Sequence, residues 1–163
     1  MTAEQATALW AMRLRVQRER DRVNPPERAF KTGAGGLIDI EFALQILQLR
    51  HGGAHPEIRS ANTADGWRRL EQAGIAPTDL ANRILDHLRF LKRIELRLRR
   101  EKNRGVSVLP GDPEKQRILV AWLGGTSWEA FWSEHCERMR QTRADVARIL
   151  TGLVASTALE THR

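Results

Sequence analysis

The sequence predicts an all-α fold, a bundle of about six helices, and three observations support this prediction. Apolar residues recur at helical spacing in six segments of the 163-residue chain. Residues that start or end helices flank most of these segments. No segment shows convincing alternation of apolar and polar residues, the pattern of a half-buried strand. Short loops and this length favour one domain, so we predict a single helical bundle over 1–152 and a frayed tail over 153–163.

The first helix is predicted over about residues 2–21. Thr2 can cap its start, with Gln5 three residues later in the arrangement of a capping box. The second half of this helix, from Arg13 to Arg22, is densely charged and is expected to face solvent. The pair Pro25-Pro26 ends the helix, because proline lacks the amide hydrogen and restricts the residue before it.

The second helix, predicted over about 37–50, has two apolar stripes on nearly opposite sides. Their members are Leu37, Ile40, Leu44 and Leu47 for the first stripe and Ile38, Phe42, Ile46 and Leu49 for the second. A helix at the surface of a protein has one apolar face, whereas a helix that is apolar on two faces is buried between neighbours. We therefore predict that this is the central helix of the bundle.

The start of the central helix carries the most distinctive residues of the chain. Asp39 and Glu41 lie in its first turn, where the partial positive charge of a helix start favours acidic residues. Two residues apart, they point in nearly opposite directions and are poorly placed to chelate one metal ion unaided. The loop before the helix contains one lysine and three glycines, Lys31, Gly33, Gly35 and Gly36. This loop can cradle an anion with its backbone amides, or it can let the helix pack closely against a neighbour.

The third helix is short, and the fourth, predicted over about 79–102, is long. Asn62 can cap the third helix, and Gly74 suits its end. Glu95 lies within the apolar stripe of the long helix, where an unpaired buried carboxylate would cost several kcal/mol. We therefore predict a basic partner for Glu95, and Lys31 is one candidate. Glu95 either forms a structural ion pair between helices or contributes to an active site shared with another domain.

The last two helices have clear start and end signals. Asp112 followed by proline starts the fifth helix, and the pair Gly124-Gly125 ends it. Thr126 and Glu129 have the spacing of a capping box for the sixth helix, which is predicted over about 127–150.

The residue inventory gives no catalytic residue and no metal site. Cys136 is the only cysteine, which excludes an intrachain disulfide and a cysteine-based zinc cluster, and we expect it to be a small core residue. His51 and His55 have no third ligand nearby and are expected to be exposed loop histidines. The glycine-rich loop lacks the ending of a P-loop and the parallel sheet of a dinucleotide-binding fold. We predict that the chain alone binds no cofactor.

The charge and hydropathy of the chain bear on its partners and its location. The net charge is +7 and the pI is near 10.8, which raises a nucleic-acid hypothesis. The arginines are spread over several helices, and acidic residues lie between them. There is no tyrosine, and the tryptophans recur at the spacing of buried helix positions. These observations argue against direct nucleic-acid binding. No apolar run approaches the roughly 20 residues that span a bilayer, and no secretory signal is present. A cytoplasmic protein is therefore expected.

One stretch of the chain resembles a known family. Residues Lys31 to Phe42 resemble the Gly-Gly-x-x-Asp-Ile-Glu-Phe signature of glutamine-synthetase adenylyltransferases. The downstream order of motifs agrees, and the similarity covers roughly residues 5–150. The helix that contains Met12-Arg13 fits as well. The further matching positions are Gln45, Leu49 and Arg50, then Asn62-Thr63, Leu70 with Gly74, the segment from Phe90 to Leu98 that includes Glu95, and Leu109-Pro110.

The resemblance implies a helical domain that follows a nucleotidyltransferase domain. In that family the enzyme transfers AMP from ATP to a tyrosine of glutamine synthetase and removes it by phosphorolysis, under control of the PII regulatory protein. Magnesium and ATP are bound by Gly-Ser and Asp-x-Asp residues of the nucleotidyltransferase domain, and this sequence contains no Asp-x-Asp. The implied role is an accessory domain without the catalytic machinery, in which a few residues lie at the nucleotide or the domain junction: Lys31, Gly33, Gly35, Gly36, Asp39 and Glu41.

Two other classes of function stay open from the sequence. The first is a non-enzymatic basic helical module that binds protein or nucleic acid. The second is an autonomous enzyme, which would require a metal site or a nucleophile site that the residues do not indicate. For the family-type role, the implied partners are the nucleotidyltransferase domain, glutamine synthetase and the PII protein.

Overall fold

A computed structural model describes residues 2–20, 23–102 and 105–160 of the chain. Within these residues there are six α-helices, two short 3₁₀ turns and no β-strand, so the predicted all-α bundle is confirmed. No helix of the described residues has the length and apolar character needed to cross a membrane. The helices are α1 (Ala3–Arg20), α2 (Leu37–His51), α3 (Thr63–Gln72), α4 (Thr78–Lys102), α5 (Pro113–Leu123) and α6 (Trp128–Glu160). The turns are Pro26–Arg28 and Pro56–Ile58.

Side-chain caps fix the starts of three helices where the sequence predicts them. At α1, the Thr2 amide donates to Gln5 Oε1 at 2.8 Å, and the Gln5 amide donates to Thr2 Oγ1 at 3.2 Å. Asn62 accepts the amide of the residue three positions on at 3.0 Å, and so does Asp112. These bonds satisfy amides that the helix itself leaves without acceptors.

Helix α6 differs from its prediction at both ends. Its cap is Ser127, whose Oγ accepts the Ala130 amide at 3.1 Å, so the predicted capping box of Thr126 and Glu129 is wrong. The helix then continues to Glu160, beyond the predicted end at 150, because the residues after Gly152 are mostly good helix formers. The division into a domain over 1–152 and a frayed tail over 153–163 stays a prediction, and residues 161–163 lie outside the described part of the chain.

Helix α2 lies at the centre of the fold, against α3, α4 and α6. Its first predicted apolar stripe is buried throughout. The second stripe is not, because Ile46 is buried while Leu49 is exposed. Instead, the side that carries Asp39 and Ala43 is fully buried, since α6 passes over the N-terminal half of α2. The central position of α2 is as predicted, but its buried sides are not two opposite faces.

Two buried histidines lie between α4 and α6. His87 Nδ1 lies 2.6 Å from Thr142 Oγ1, and His135 Nε2 lies 2.8 Å from the carbonyl oxygen of Glu27. Burial lowers the pKa of His87 from 6.5 to about 3, and the positive charge of Arg138 acts in the same direction. Burial also lowers the pKa of His135. Both imidazoles are therefore neutral in the folded protein at neutral pH.

The His87 pKa predicts a loss of stability in mild acid. The unfolded chain binds a proton at this side chain near pH 6.5, whereas the folded chain binds it only near pH 3. The contribution of His87 to the free energy of unfolding is therefore fully present above pH 6.5, and it is lost as the pH falls towards 3. We expect a loss of about 2 kcal/mol between pH 7.5 and pH 5, measured by urea denaturation.

The His87→Gln variant should show a smaller pH dependence than the unmodified chain over the same range. The matched control is His55→Gln, which changes an exposed histidine and should keep the full dependence. If the free energy of unfolding fell equally with pH in His87→Gln and in the unmodified chain, this result would contradict a neutral buried His87.

Candidate functional site

Asp39 is a fully buried carboxylate at the start of α2. It is 0% exposed, and its two oxygen atoms face three groups from different parts of the fold. Asp39 Oδ2 accepts the Gly35 amide at 2.7 Å and Arg143 Nη1 at 2.8 Å. Asp39 Oδ1 lies 2.8 Å from Arg13 Nη2. The carboxylate therefore joins α1, the glycine-rich loop, α2 and α6 at one point.

Arg13, Asp39 and Arg143 form what we call the Asp39 cluster. Arg13 is 3% exposed and also donates from Nη2 to the carbonyl oxygen of Thr32 at 2.8 Å. Arg143 is 25% exposed, and its guanidinium carbon lies 4.4 Å from the ring centre of Trp10, a cation–π contact. Two cations share one carboxylate, so the cluster carries a net positive charge inside the protein.

The sequence analysis missed both arginines of this cluster. Arg13 was expected to face solvent with the rest of the charged half of α1, and that expectation is wrong. A signal for Arg143 existed, because it lies four residues after Met139 and three before Val146, which are both buried, and helical residues at these spacings share a face. Arg13 had a comparable signal, because it lies four residues after Leu9 and three after Trp10, which both pack against the core.

The glycines of the loop allow close approach of backbone segments. Gly35 has φ +80°, and a Cβ atom there would lie 1.8 Å from the carbonyl oxygen of Met139 in α6. A Cβ at Gly36 would lie 2.6 Å from the Phe30 carbonyl oxygen, and one at Gly33 would lie 2.6 Å from that of Ala29. Only glycine lets α6 lie directly on the loop at position 35.

The backbone amides around the helix start already have acceptors within the chain. The Gly33 amide donates to Ala29, the Gly35 amide to Asp39, and the Gly36 amide to Gly33. The first amides of α2 donate to carbonyl oxygens of the same loop, from Leu37 to Phe30 at 3.2 Å and from Ile38 to Lys31 at 3.0 Å. These five amides are thus unavailable to an anion, which favours the close-packing interpretation of the glycines over the anion cradle.

A second group of charges, which we call the Glu95 ladder, connects the loop with α2 and α4. Lys31 Nζ lies 2.5 Å from Glu95 Oε1, so the predicted basic partner is present and is the candidate that the sequence suggested by name. Lys92 Nζ lies 3.1 Å from Glu95 Oε2 and 4.0 Å from Glu41 Oε1. Burial opposes ionisation of Glu95, but hydrogen bonds from both lysines outweigh it and hold the pKa of Glu95 below its ordinary value.

The structure places the candidate residues in two separate environments. Asp39 and Gly35 belong to the buried contact with α6, whereas Glu41 lies on the side of α2 that faces α4, with Lys92. Glu41 is 40% exposed and Lys92 is 50% exposed. The buried cluster can hold helices together, and the ladder can contact a partner.

The carboxylates of this region do not fit a divalent cation. Both oxygen atoms of Asp39 face basic groups, and each oxygen of Glu95 faces a different lysine. Among the described residues, no group of three or more His, Cys, Asp or Glu side chains could hold a metal ion. Cys136 is half-buried, and burial raises the pKa of its thiol, which opposes formation of the nucleophilic thiolate.

Comparison with known proteins agrees with the resemblance in the sequence. The family model described as GlnD PII-uridylyltransferase matches residues 3–154. Relatives named bifunctional glutamine synthetase adenylyltransferase/adenylyl-removing enzyme are also found. The one from Streptomyces avermitilis is 34% identical over 137 residues, covering 77% of this chain and 14% of the relative. The one from Xanthomonas campestris pv. campestris is 32% identical over 132 residues, covering 80% of this chain and 14% of the relative.

A third relative of the same name, from Neisseria meningitidis serogroup A, is 33% identical over 101 residues, covering 62% of this chain and 11% of the relative. The chain thus spans about one-seventh or less of the length of these relatives. The family model covers nearly the whole chain. The chain therefore belongs to the GlnD PII-uridylyltransferase family, with glutamine synthetase adenylyltransferases among its relatives.

Proposed function

We propose that this chain is a helical accessory domain of a glutamine synthetase adenylyltransferase, acting beside a nucleotidyltransferase domain that carries the catalytic residues. One observation carries this proposal. About four-fifths of the chain matches a relative that has this activity in its name, and the match covers only about one-seventh of that relative. The parent enzyme would transfer AMP to glutamine synthetase, or remove it, in the cytoplasm. Magnesium and ATP would bind to the nucleotidyltransferase domain, and the PII protein would be a regulatory partner.

The division of the candidate residues into buried and exposed sets supports this role. The Asp39 cluster is internal, so its contribution to function is to fix the positions of α1, α2 and α6. The Glu95 ladder reaches the surface through Glu41 and Lys92, so it is the part of the family signature that a neighbouring domain can touch. We assign Lys31, Glu41, Lys92 and Glu95 to the junction with the nucleotidyltransferase domain.

The test is transfer of labelled AMP from ATP to glutamine synthetase. The chain is assayed alone and after mixing with a separately produced nucleotidyltransferase domain from the same organism. We expect transfer only in the mixture, because the chain would complete a site whose catalytic residues lie elsewhere. Transfer by the chain alone would overturn the accessory role.

A Glu41→Gln variant sharpens this test, because it removes an exposed charge of the ladder without opening the core. In the mixture we expect AMP transfer to fall by about tenfold, while the melting temperature stays the same. The matched control is Glu114→Gln, which removes an exposed carboxylate paired with Arg117 on α5 and should leave transfer unchanged. Unchanged transfer in Glu41→Gln would remove Glu41 from the junction.

One observation favours a second candidate, a basic module that binds nucleic acid or an acidic protein. Arg89, Arg93, Leu96 and Arg100 lie on one exposed face of α4, and Lys92 and Arg99 flank it. Contacts to nucleic-acid phosphates weaken steeply between low and moderate salt. Duplex binding with that salt dependence, together with no transfer in the mixture, would favour this candidate.

A further inference from the structure

A cavity of about 690 Å³ lies between α1, the Pro26–Arg28 turn and α6, and we call it the α1–α6 cavity. This volume is in the range of pockets that hold small molecules. Much of its wall is apolar, including Pro26, Met139, Ala144 and Ala147. The polar part of the wall includes Gln17, Glu27, Arg140 and Arg143. An apolar wall with a few polar groups is the usual composition of a ligand site.

The charges of this wall are separated along α6. The backbone of Glu27 lies near the Cys136 end of this wall, because its carbonyl oxygen is 2.8 Å from Nε2 of His135, the residue before Cys136. Arg143 is seven residues further along α6, which corresponds to about 10 Å of helix. Arg140 lies between these ends and pairs with Glu137 on the same helix. One end of the cavity is therefore positive, and this end belongs to the Asp39 cluster.

Near the positive end of the cavity, α1 carries buried polar atoms that have no hydrogen-bond partner. Arg13 is 3% exposed, and its Nε and Nη1 atoms are buried without a hydrogen-bond partner. Gln17, one helical turn further along α1, also lines the cavity, and its buried Oε1 has no partner and can accept a hydrogen bond from a donor on the body of a ligand. A buried guanidinium with unbonded N–H groups is costly, and two cations share only one carboxylate here. An additional anion near Arg143 would offset this positive charge.

We propose that the α1–α6 cavity binds a small organic anion, with its carboxylate, sulfonate or phosphate group at Arg143 and Arg140. The apolar body of the ligand lies along Met139, Ala144 and Ala147. Because Arg143 is 25% exposed, it can interact with such a group while it keeps its bond to Asp39. This assignment does not depend on the proposed function, since it rests on the cavity and the charges that line it.

The test uses the fluorescent probe 1-anilinonaphthalene-8-sulfonate, which combines an aromatic body with one anionic group. We expect saturable binding to the folded full chain, and competition by naphthalene-1-sulfonate. The uncharged analogue N-phenyl-1-naphthylamine should bind about tenfold more weakly. Equal affinities for the charged and uncharged probes, or no saturable binding, would overturn the proposal.

Two matched alanine substitutions locate the site. Both alanines lie on α6 and are exposed, but Ala147 lines the α1–α6 cavity and Ala130 lines a different one. Ala147→Phe should weaken probe binding by about tenfold, whereas Ala130→Phe should change it by less than about twofold. The opposite ranking, or no effect of Ala147→Phe, would place the probe elsewhere and overturn the assignment.

An Arg140→Gln variant tests the charge without disturbing the Asp39 cluster. It should weaken the sulfonate probe by about threefold and leave the uncharged analogue unaffected. Circular dichroism melting curves establish that each variant is folded. A folded Arg140→Gln variant that loses affinity equally for both probes would contradict an anion at this end of the cavity.

Discussion

Replacing Gly35 with alanine should lower the free energy of unfolding by roughly 3 kcal/mol or more. Two costs add at this position. The backbone has φ +80°, which residues with a side chain rarely adopt, and a Cβ would lie 1.8 Å from the Met139 carbonyl oxygen. Because the obstacle is the backbone of α6 and not a flexible side chain, the helix itself would have to move. Urea or guanidinium denaturation measures the loss.

The Gly74→Ala variant separates these two costs. Gly74 also has a positive φ, +69°, but a Cβ there would meet no atom within 4 Å. Its replacement should cost only about 1 kcal/mol, the conformational part alone. Equal losses at the two positions would show that contact with α6 does not determine the requirement for glycine at position 35.

Replacing Asp39 with asparagine should lower the free energy of unfolding by about 3–5 kcal/mol. The variant keeps the shape of the side chain but removes the only negative charge of the Asp39 cluster. Arg13 would then be a buried cation without its ion-pair partner, and the amide nitrogen of the new side chain would face one of the guanidinium groups. Removal of one partner from a buried ion pair is costly because the other charge stays buried.

The control for Asp39→Asn is the exposed ion pair of Glu114 and Arg117, where Glu114→Gln should leave the denaturation midpoint unchanged within error. Exposed pairs contribute little because water and salt screen them. A loss at Asp39 no larger than that at Glu114 would contradict a structural role of the cluster. In the mixture with the nucleotidyltransferase domain, AMP transfer by Asp39→Asn should fall only as far as its folded fraction falls.

The helices could be predicted because their signals are local. A cap such as Asn62 or Asp112 bonds to an amide three residues away, so both partners are visible in a short window of sequence. The C-terminal end of α6 was not predicted correctly, because Gly152 indicates the end of a helix but lies within a longer run of helix-forming residues.

The Asp39 cluster could not be predicted, because its members are distant in the sequence. Arg143 and Asp39 are separated by 104 positions, and only the packing of α6 over α2 brings them together. The same physical rule succeeded for Glu95, where a lone charge in an apolar stripe indicated a partner and Lys31 was available. It failed for Arg13, because the interpretation gave more weight to the charged residues that follow Arg13 in α1 than to Leu9 and Trp10 on the same face.

The role of the glycine-rich loop also depended on information that the sequence lacks. An amide in such a loop can donate to a bound anion or to a carbonyl oxygen of the chain, and the two choices have the same residue pattern. The position of α6 against Gly35 and the bonds to Ala29 and Phe30 favour the second choice.

The contact of Arg13 with Asp39 also bears on how this domain can be shortened or transplanted. The Pro25-Pro26 break suggests a convenient place to cut, which would yield a five-helix fragment beginning at the glycine-rich loop. Such a fragment would lack Arg13, one of the two arginines that face the Asp39 carboxylate. It would also lack the α1 wall of the α1–α6 cavity, which would then be open to water. A graft that preserves the behaviour of the whole domain therefore has to include α1, even though most of the family signature lies after it.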